Sequence, residues 1–260
     1  MGAAGDDLLA ALRGHDRDRW LAALFAPEPA RCDLAAFAAF NWEIARIRET
    51  VSEKLLGQIR LQWWREALDG IFAGTPRAHP VAEALARAAA RRPLPRAAFE
   101  RLIDARARDL DDAPFADRNE LEAYAEATGA PLLELAVVAL GGAGEGAVAD
   151  VARDIGTAYA LAGALIAIPF RSTERRNPVP LDRFSVADLA AVARDRLARA
   201  RKRRDEIPSE LRVAFLIGVL AETRLDDLAR VGHDPFALDL GAPKPFRPLR
   251  LAWAAWLGRF

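Results

Sequence analysis

The chain has 260 residues, enough for one large domain or two small ones with a substantial buried core. Hydrophobic residues make up 52% and charged residues 28%, with basic and acidic residues balanced at 37 each. This excludes a disordered chain, a protein that lives mainly within the bilayer, and a globally basic nucleic-acid binder. The single cysteine, Cys32, excludes an internal disulfide and a zinc site built from several thiolates.

The chain opens MGAAGDDLLAALRG, with Asp6 and Asp7 where a secretory signal is basic and then apolar and where a mitochondrial presequence avoids acids. A cytoplasmic protein is expected. From Leu34 onward, Leu34, Phe37, Phe40, Ile44, Ile47 and Val51 recur at threes and fours, the period of one helix face. The other face, Ala38, Trp42, Ala45 and Glu49, is small or apolar apart from the glutamate. The helix is therefore expected to lie between neighbours, either lining an internal cavity or as a core helix with one isolated glutamate. Thr50 and Glu53 have capping-box spacing, which predicts a second helix with Leu56, Ile59, Trp63, Ala67 and Ile71 on its inner face, ended by Gly74 and Pro76.

Shorter helices are predicted over about 81–91 and 95–110. Asp117 and Glu120 cap the next, which Gly129 and Pro131 are expected to interrupt or kink. A long helix is predicted over about 147–168, and its uncharged run, 155–170, is shorter than the roughly 18–20 apolar residues that span a bilayer. Ser185 and Asp188 cap a helix to about residue 206, another runs to about 231, and a last short one starts near Pro248. No strand alternation or fixed repeat is present. The expectation is an all-helical single domain over 1–260, about eight helices around a central cavity, with its core over 34–231 and a closing helix at 248–260. On that last helix Leu249, Trp253, Trp256, Leu257 and Phe260 form a stripe that would either pack on the bundle or touch a membrane interface.

There is no phosphate-binding glycine loop, zinc helix or nucleophile elbow. His15, His79 and His233 lack a second histidine at ligand spacing, so structural or solvent roles are expected. Asp104, Asp109, Asp111 and Asp112 read as a solvated turn rather than a metal site, and the basic run RLARARKRRDE, 196–206, as a solvated helix face.

The segments FAAFNWEIARIRETVSE, LQWWREALDGIFAG, LEAYAEATGAPLLELAVVALGG, DIGTAYALAGALIAIPF and NPVPLD, in that order, resemble the squalene and phytoene synthase family from about Leu34 to Asp182. The resemblance implies an isoprenoid-synthase-like helical fold. In that family two aspartate-rich helical motifs hold magnesium ions, which neutralise the diphosphates of two condensing prenyl substrates. Carried over by position, the first motif falls on Ala45, Arg46, Ile47, Arg48 and Glu49, and the second on Ala160, Gly163, Ile166 and Ala167. Only Glu49 is acidic.

The pattern is therefore closer to the noncatalytic branch of the family, the complex I assembly factor 6 group. That branch implies no catalytic residue and no cofactor, with a respiratory complex I subunit or assembly protein as partner. The two-faced first helix and the small residues Ala158, Ala162 and Gly163 predict a central cavity walled partly by Ala45, Glu49, Tyr159 and Gly163, with Trp42 also at its lining, that would take an isoprenoid or lipid. The balanced charge predicts no nucleic acid, and the stripe at 249–260 weak contact with the inner face of the membrane at most. Two alternatives stay open. One is a prenyl transferase, the only reading that needs magnesium, and the other is an isoprenoid or lipid binder. Arg46, Arg48, Arg60 and Arg65 could also meet a diphosphate without metal.

Overall fold

A computed structural model of the chain describes residues 3–111, 113–173, 179–181, 183–239 and 245–260, with backbone alone at 3–6 and 173. Every regular element among them is helical: α1 (Ala3–His15), α2 (Arg17–Ala23), α3 (Ala30–Ala45), α4 (Ile47–Thr50), α5 (Lys54–Phe72), α6 (Pro80–Arg91), α7 (Arg96–Ala107), α8 (Arg118–Ala139), α9 (Gly146–Thr173), α10 (Val186–Lys202), α11 (Ile217–Arg230) and α12 (Arg247–Trp256), joined in places by 3-10 turns. Their contacts fall into two compact units. Residues 1–111 and 131–144 form the first, and 112–130 and 145–260 the second, so α8 contributes to both.

In the first unit, α3 packs against α1, α2, α6 and α7. Its stripe of Phe37, Phe40, Ile44 and Ile47 is buried as its period predicts. Phe40 meets Trp64 and Phe99 edge-on, with ring centroids 5.1 and 5.3 Å away, a geometry that sets the positive edge of one ring against the negative face of another. Leu132, Leu135 and Ala139 of α8 complete this core. Helices α1 and α2 have no counterpart among the sequence expectations. Asp16 separates them, its carboxylate accepting the Arg19 N–H at 3.0 Å as a helix N-cap.

Two expectations for this unit are corrected. The Thr50–Glu53 capping box does not form. The Thr50 hydroxyl is spent on the Ile47 carbonyl at 3.0 Å and on Arg60 Nη1 at 2.6 Å, and α5 starts four residues on behind Glu53, which makes no side-chain cap. Ala67 and Ile71 are buried as expected and form the inner face of α5 with Gly57, Leu61, Trp64 and Leu68, whereas Trp63 is half-buried and Leu55, Leu56 and Ile59 are exposed. Gly57 sets this rotation. A Cβ there would lie 2.4 Å from Leu110 Cδ2, so the bare backbone is the point at which α5 meets the end of the α7 segment.

In the second unit, α9 packs against α10 and α11. Among the described residues it is the one helix long and apolar enough to cross a membrane. However, 61% of its apolar window is buried, as befits the core helix expected from its uncharged run. Helix α8 is not interrupted. It continues through Gly129 and Pro131, and the Thr128 hydroxyl bonds the Tyr124 carbonyl at 2.8 Å one turn back. Gly129 serves as a crossing point: its Cβ would fall 2.1 Å from the Gly156 carbonyl oxygen on α9.

The Asp117 carboxylate accepts the Glu120 N–H at 2.8 Å, and Ser185 and Asp188 form a full capping box on α10. The basic run at the end of α10 is not merely a solvated face. Arg196 reaches Glu122, Glu126 and Asp154, and Arg199 and Arg203 bind Asp154 and Asp150.

The closing helix α12 does not use one stripe throughout. Leu251 and Ala254 are buried while Leu249, Trp253 and Trp256 face outward. Phe260 leaves the helix, turned by Gly258 at φ 60° onto Phe215, with centroids 5.3 Å apart.

Candidate functional site

The first motif position lies where a helix breaks. α3 ends at Ala45, Arg46 sits in the turn at φ −81° and ψ −5°, and the single-turn α4 carries Arg48 and Glu49. Ala45, Arg46 and Arg48 are half-buried. Glu49 is exposed, contrary to the expected burial, and makes no side-chain hydrogen bond or ion pair among the described residues. Placed after the break, it no longer follows the face of Ala38, Trp42 and Ala45. Arg46 lies over the Trp42 ring, 5.8 Å from its centroid, and His15 stacks on the same ring at 4.7 Å and 17°. The Trp42 indole N–H is buried without an acceptor among the described residues.

The second motif positions all lie on one half-exposed face of α9: Ala160, Gly163, Ile166 and Ala167. They carry no oxygen ligand. Beside them is Arg224 of α11. Its guanidinium lies 4.4 Å over the ring of buried Tyr159 and donates to the phenol oxygen at 3.0 Å, while a Cβ at Gly163 would fall 3.3 Å from its Nη1. The ring quadrupole attracts the cation, and the hydrogen bond to the same side chain fixes its position. The first set of positions lies in the first unit and the second set in the second.

Magnesium takes near-octahedral oxygen ligands, usually from more than one carboxylate or from substrate phosphates. One exposed glutamate at the first motif and none at the second do not fit that ion. Among the described residues no group of three or more histidine, cysteine, aspartate or glutamate side chains could hold a metal. The nearest acids on α9, Asp150 and Asp154, are engaged by Arg203, just past the end of α10, and by Arg199 within it. The Asp104–Asp111 cluster is likewise consumed: Asp104 pairs with Arg65 at 2.8 Å, Asp109 with Arg106 at 3.2 Å, and Asp111 with Lys54, which holds its carboxyl below the usual range. Asp112 lies outside the described residues. Arg65 is thus paired with a carboxylate, while exposed Arg60 donates to the Thr50 hydroxyl at 2.6 Å.

The sequence reading missed Arg224. Its signal is faint: Gly163 amid alanine and leucine on α9, and Arg224 on α11 to fill the space that glycine leaves.

An all-helical scaffold of the isoprenoid-synthase kind, with arginine and apolar side chains at its two motif positions, is the class these features define. The chain belongs to the squalene/phytoene synthase family, which residues 12–185 match. It is 33% identical to the rat protein named NADH dehydrogenase (ubiquinone) complex I, assembly factor 6, over 96% of this chain and 81% of that one. The human protein of that name is 31% identical over 98% of this chain and 83% of its own length.

Among solved structures, a dehydrosqualene synthase with bound ligand superposes with a TM-score of 0.80 at 15% identity, covering 98% of this chain and 95% of that one. A squalene synthase from Alicyclobacillus acidocaldarius gives 0.76 at 20%, covering 90% and 95%. These likenesses establish the fold.

Proposed function

We propose that the chain serves the assembly of respiratory complex I and does so without prenyl-transfer chemistry, from the cytoplasm. The observation that supports this reading is the donor set. A leaving diphosphate carries several negative charges that need dense countercharge in a low-dielectric site, and the family supplies it through carboxylate-held metal. Here Ala45, Arg46, Arg48, Ala160, Gly163, Ile166 and Ala167 stand at those positions, beside likeness over nearly the whole chain to proteins named for complex I assembly.

Deletion in the native host should lower assembled NADH dehydrogenase on native gels. Re-expression of either the wild type or Glu49→Gln should restore it, because the carboxylate performs no chemistry. Condensed product from farnesyl diphosphate, magnesium and NADPH above a no-enzyme control would overturn the noncatalytic reading. A second reading, an apolar-ligand carrier, draws on the half-exposed apolar face of α9 at Ala160, Gly163, Ile166 and Ala167. An isoprenoid or lipid recovered by mass spectrometry from the purified protein would favour it.

A further inference from the structure

Helix α12 presents Phe246, Leu249, Trp253 and Trp256 at spacings of three and four, a single outward stripe. Their exposures are 75%, 65%, 63% and 76%, the four highest of any large apolar side chain among the described residues. With Arg250 and Ala252 they frame a shallow trough, and the two indole rings lie 5.3 Å apart.

This face cannot turn inward. The opposite side of the helix is fixed by buried Leu251 and Ala254, by Phe260 against Phe215, and by Arg201 Nε, which donates to the Phe260 carbonyl at 2.9 Å. Arg250 ties the flank to α11 through Glu222 at 2.7 Å and Asp226 at 3.3 Å.

Charge selects the occupant. Residues 245–260 contain Arg247, Arg250 and Arg259 and no acid, and exposed Arg259 makes no ion pair among the described residues. A second copy laid stripe to stripe would bring Arg259 no acid from the segment, and the acids nearest the stripe, Glu222 and Asp226, are already held by Arg250. A layer of anionic headgroups answers Arg259 at the C-terminal end of the stripe. Indole suits that depth, with an apolar body for the acyl boundary and an N–H for the polar layer.

We propose that α12 is a docking element for an anionic lipid bilayer, its Phe246, Leu249, Trp253 and Trp256 stripe seated in the headgroup region and Arg259 beside it. Binding is peripheral and reversible, since a ten-residue helix lies on a bilayer and does not cross it. The inference rests on α12 alone and stands whether or not the protein serves complex I.

The test is co-sedimentation of the full chain with phosphatidylcholine vesicles, with and without about 30% phosphatidylglycerol, the latter supplying the negative surface that attracts basic segments. The wild type should sediment with the anionic vesicles. Trp253→Ser with Trp256→Ser should weaken this by about tenfold or more, and Arg259→Glu should weaken it on the anionic vesicles only. Phe236→Ser, at an exposed phenylalanine outside α12, should not.

The double variant should keep the wild-type thermal midpoint because its side chains are exposed. If it does not fold, quenching of wild-type indole fluorescence by headgroup-proximal brominated lipid supports the assignment, and absence of quenching overturns it. No vesicle binding by the wild type, or binding unchanged in the folded double variant, overturns it too. So does a concentration-dependent dimer that the double variant loses, with no vesicle binding, which would assign the stripe to a second copy.

Discussion

Replacing Gly156 by alanine tests the closest helix crossing in the second unit. The added Cβ would stand 2.6 Å from the Ala130 nitrogen, 2.6 Å from the Gly129 carbonyl carbon and 2.7 Å from the Ala130 Cα, all backbone atoms that no rotamer change can clear. Restoring ordinary contact near 3.5 Å requires α8 and α9 to separate by about 0.9 Å, which forfeits much of the dispersion contact along the crossing. Overpacking of this kind costs about 3 kcal/mol, and alanine's better helix propensity returns about 1 kcal/mol, leaving a net loss of about 2 kcal/mol. Urea unfolding followed by far-ultraviolet circular dichroism measures it. Gly14→Ala on α1 is the control. Nothing lies within 4 Å of its Cβ position, so propensity alone acts and stability rises by up to about 1 kcal/mol. Equal shifts in the same direction for the two variants would refute the steric account.

Buried Asp33 pairs with Arg91, yet burial raises its carboxyl pKa more than the guanidinium lowers it. The folded pKa therefore lies above the unfolded value, so Asp33 stabilises the fold below the unfolded pKa and that contribution is lost as pH rises through the folded one. Asp33→Asn should cost under about 1 kcal/mol at pH 7, while Arg91→Ala, leaving a buried carboxylate alone, should cost about 2 kcal/mol, discounted for the partial exposure of the arginine; chemical denaturation at pH 7 compares them. Glu222 behaves oppositely. Burial raises its pKa, but Arg201 and Arg250 together bring it below the ordinary value, so its contribution is present above the unfolded pKa and disappears as pH falls through the folded one. Glu222→Gln should cost about 1 kcal/mol at pH 7, and that difference should vanish once pH has fallen through the folded pKa, which melts taken from neutral into acid would check. Ser185→Ala should remove about 1 kcal/mol by opening the capping box on α10, and Ser185→Asp should retain most of it, read by the same melts.

Helices with a clean apolar period or a capping pair were legible in the residues: α6, α7, α10 and α9 with its uncharged run follow their patterns closely, and α3 follows its own as far as the break at Arg46. Helix α1 was not read because Gly5 and Gly14 lower its local propensity, and both α1 and the seven-residue α2 pack on α3, a tertiary effect. The rotation of α5 depends on Leu110 entering at Gly57, a contact between distant residues. Two adjacent tryptophans, Trp63 and Trp64, made either face plausible, and Phe40 selects Trp64. Pro131 signals a broken helix locally, yet α8 stays whole. At the candidate site the missing carboxylates are visible in the sequence itself. The arginine that occupies the second position is not, because Arg224 lies 65 residues beyond Tyr159 and only the packing of α11 on α9 brings it there.

The sharing of α8 between the units also orders the birth of the protein. The core built on Phe37, Phe40 and Trp64 is unfinished at residue 111, because Leu132, Leu135 and Ala139 still have to arrive. A nascent chain leaving the ribosome from its N-terminus thus carries an open apolar face through the synthesis of some thirty further residues, an interval in which exposed hydrophobic surface invites aggregation or chaperone binding. The same interleaving means that no contiguous cut yields either unit intact. A fragment stopped at Asp111 lacks one wall of the first core, and a fragment begun at Pro131 lacks Gly129, the partner that Gly156 requires.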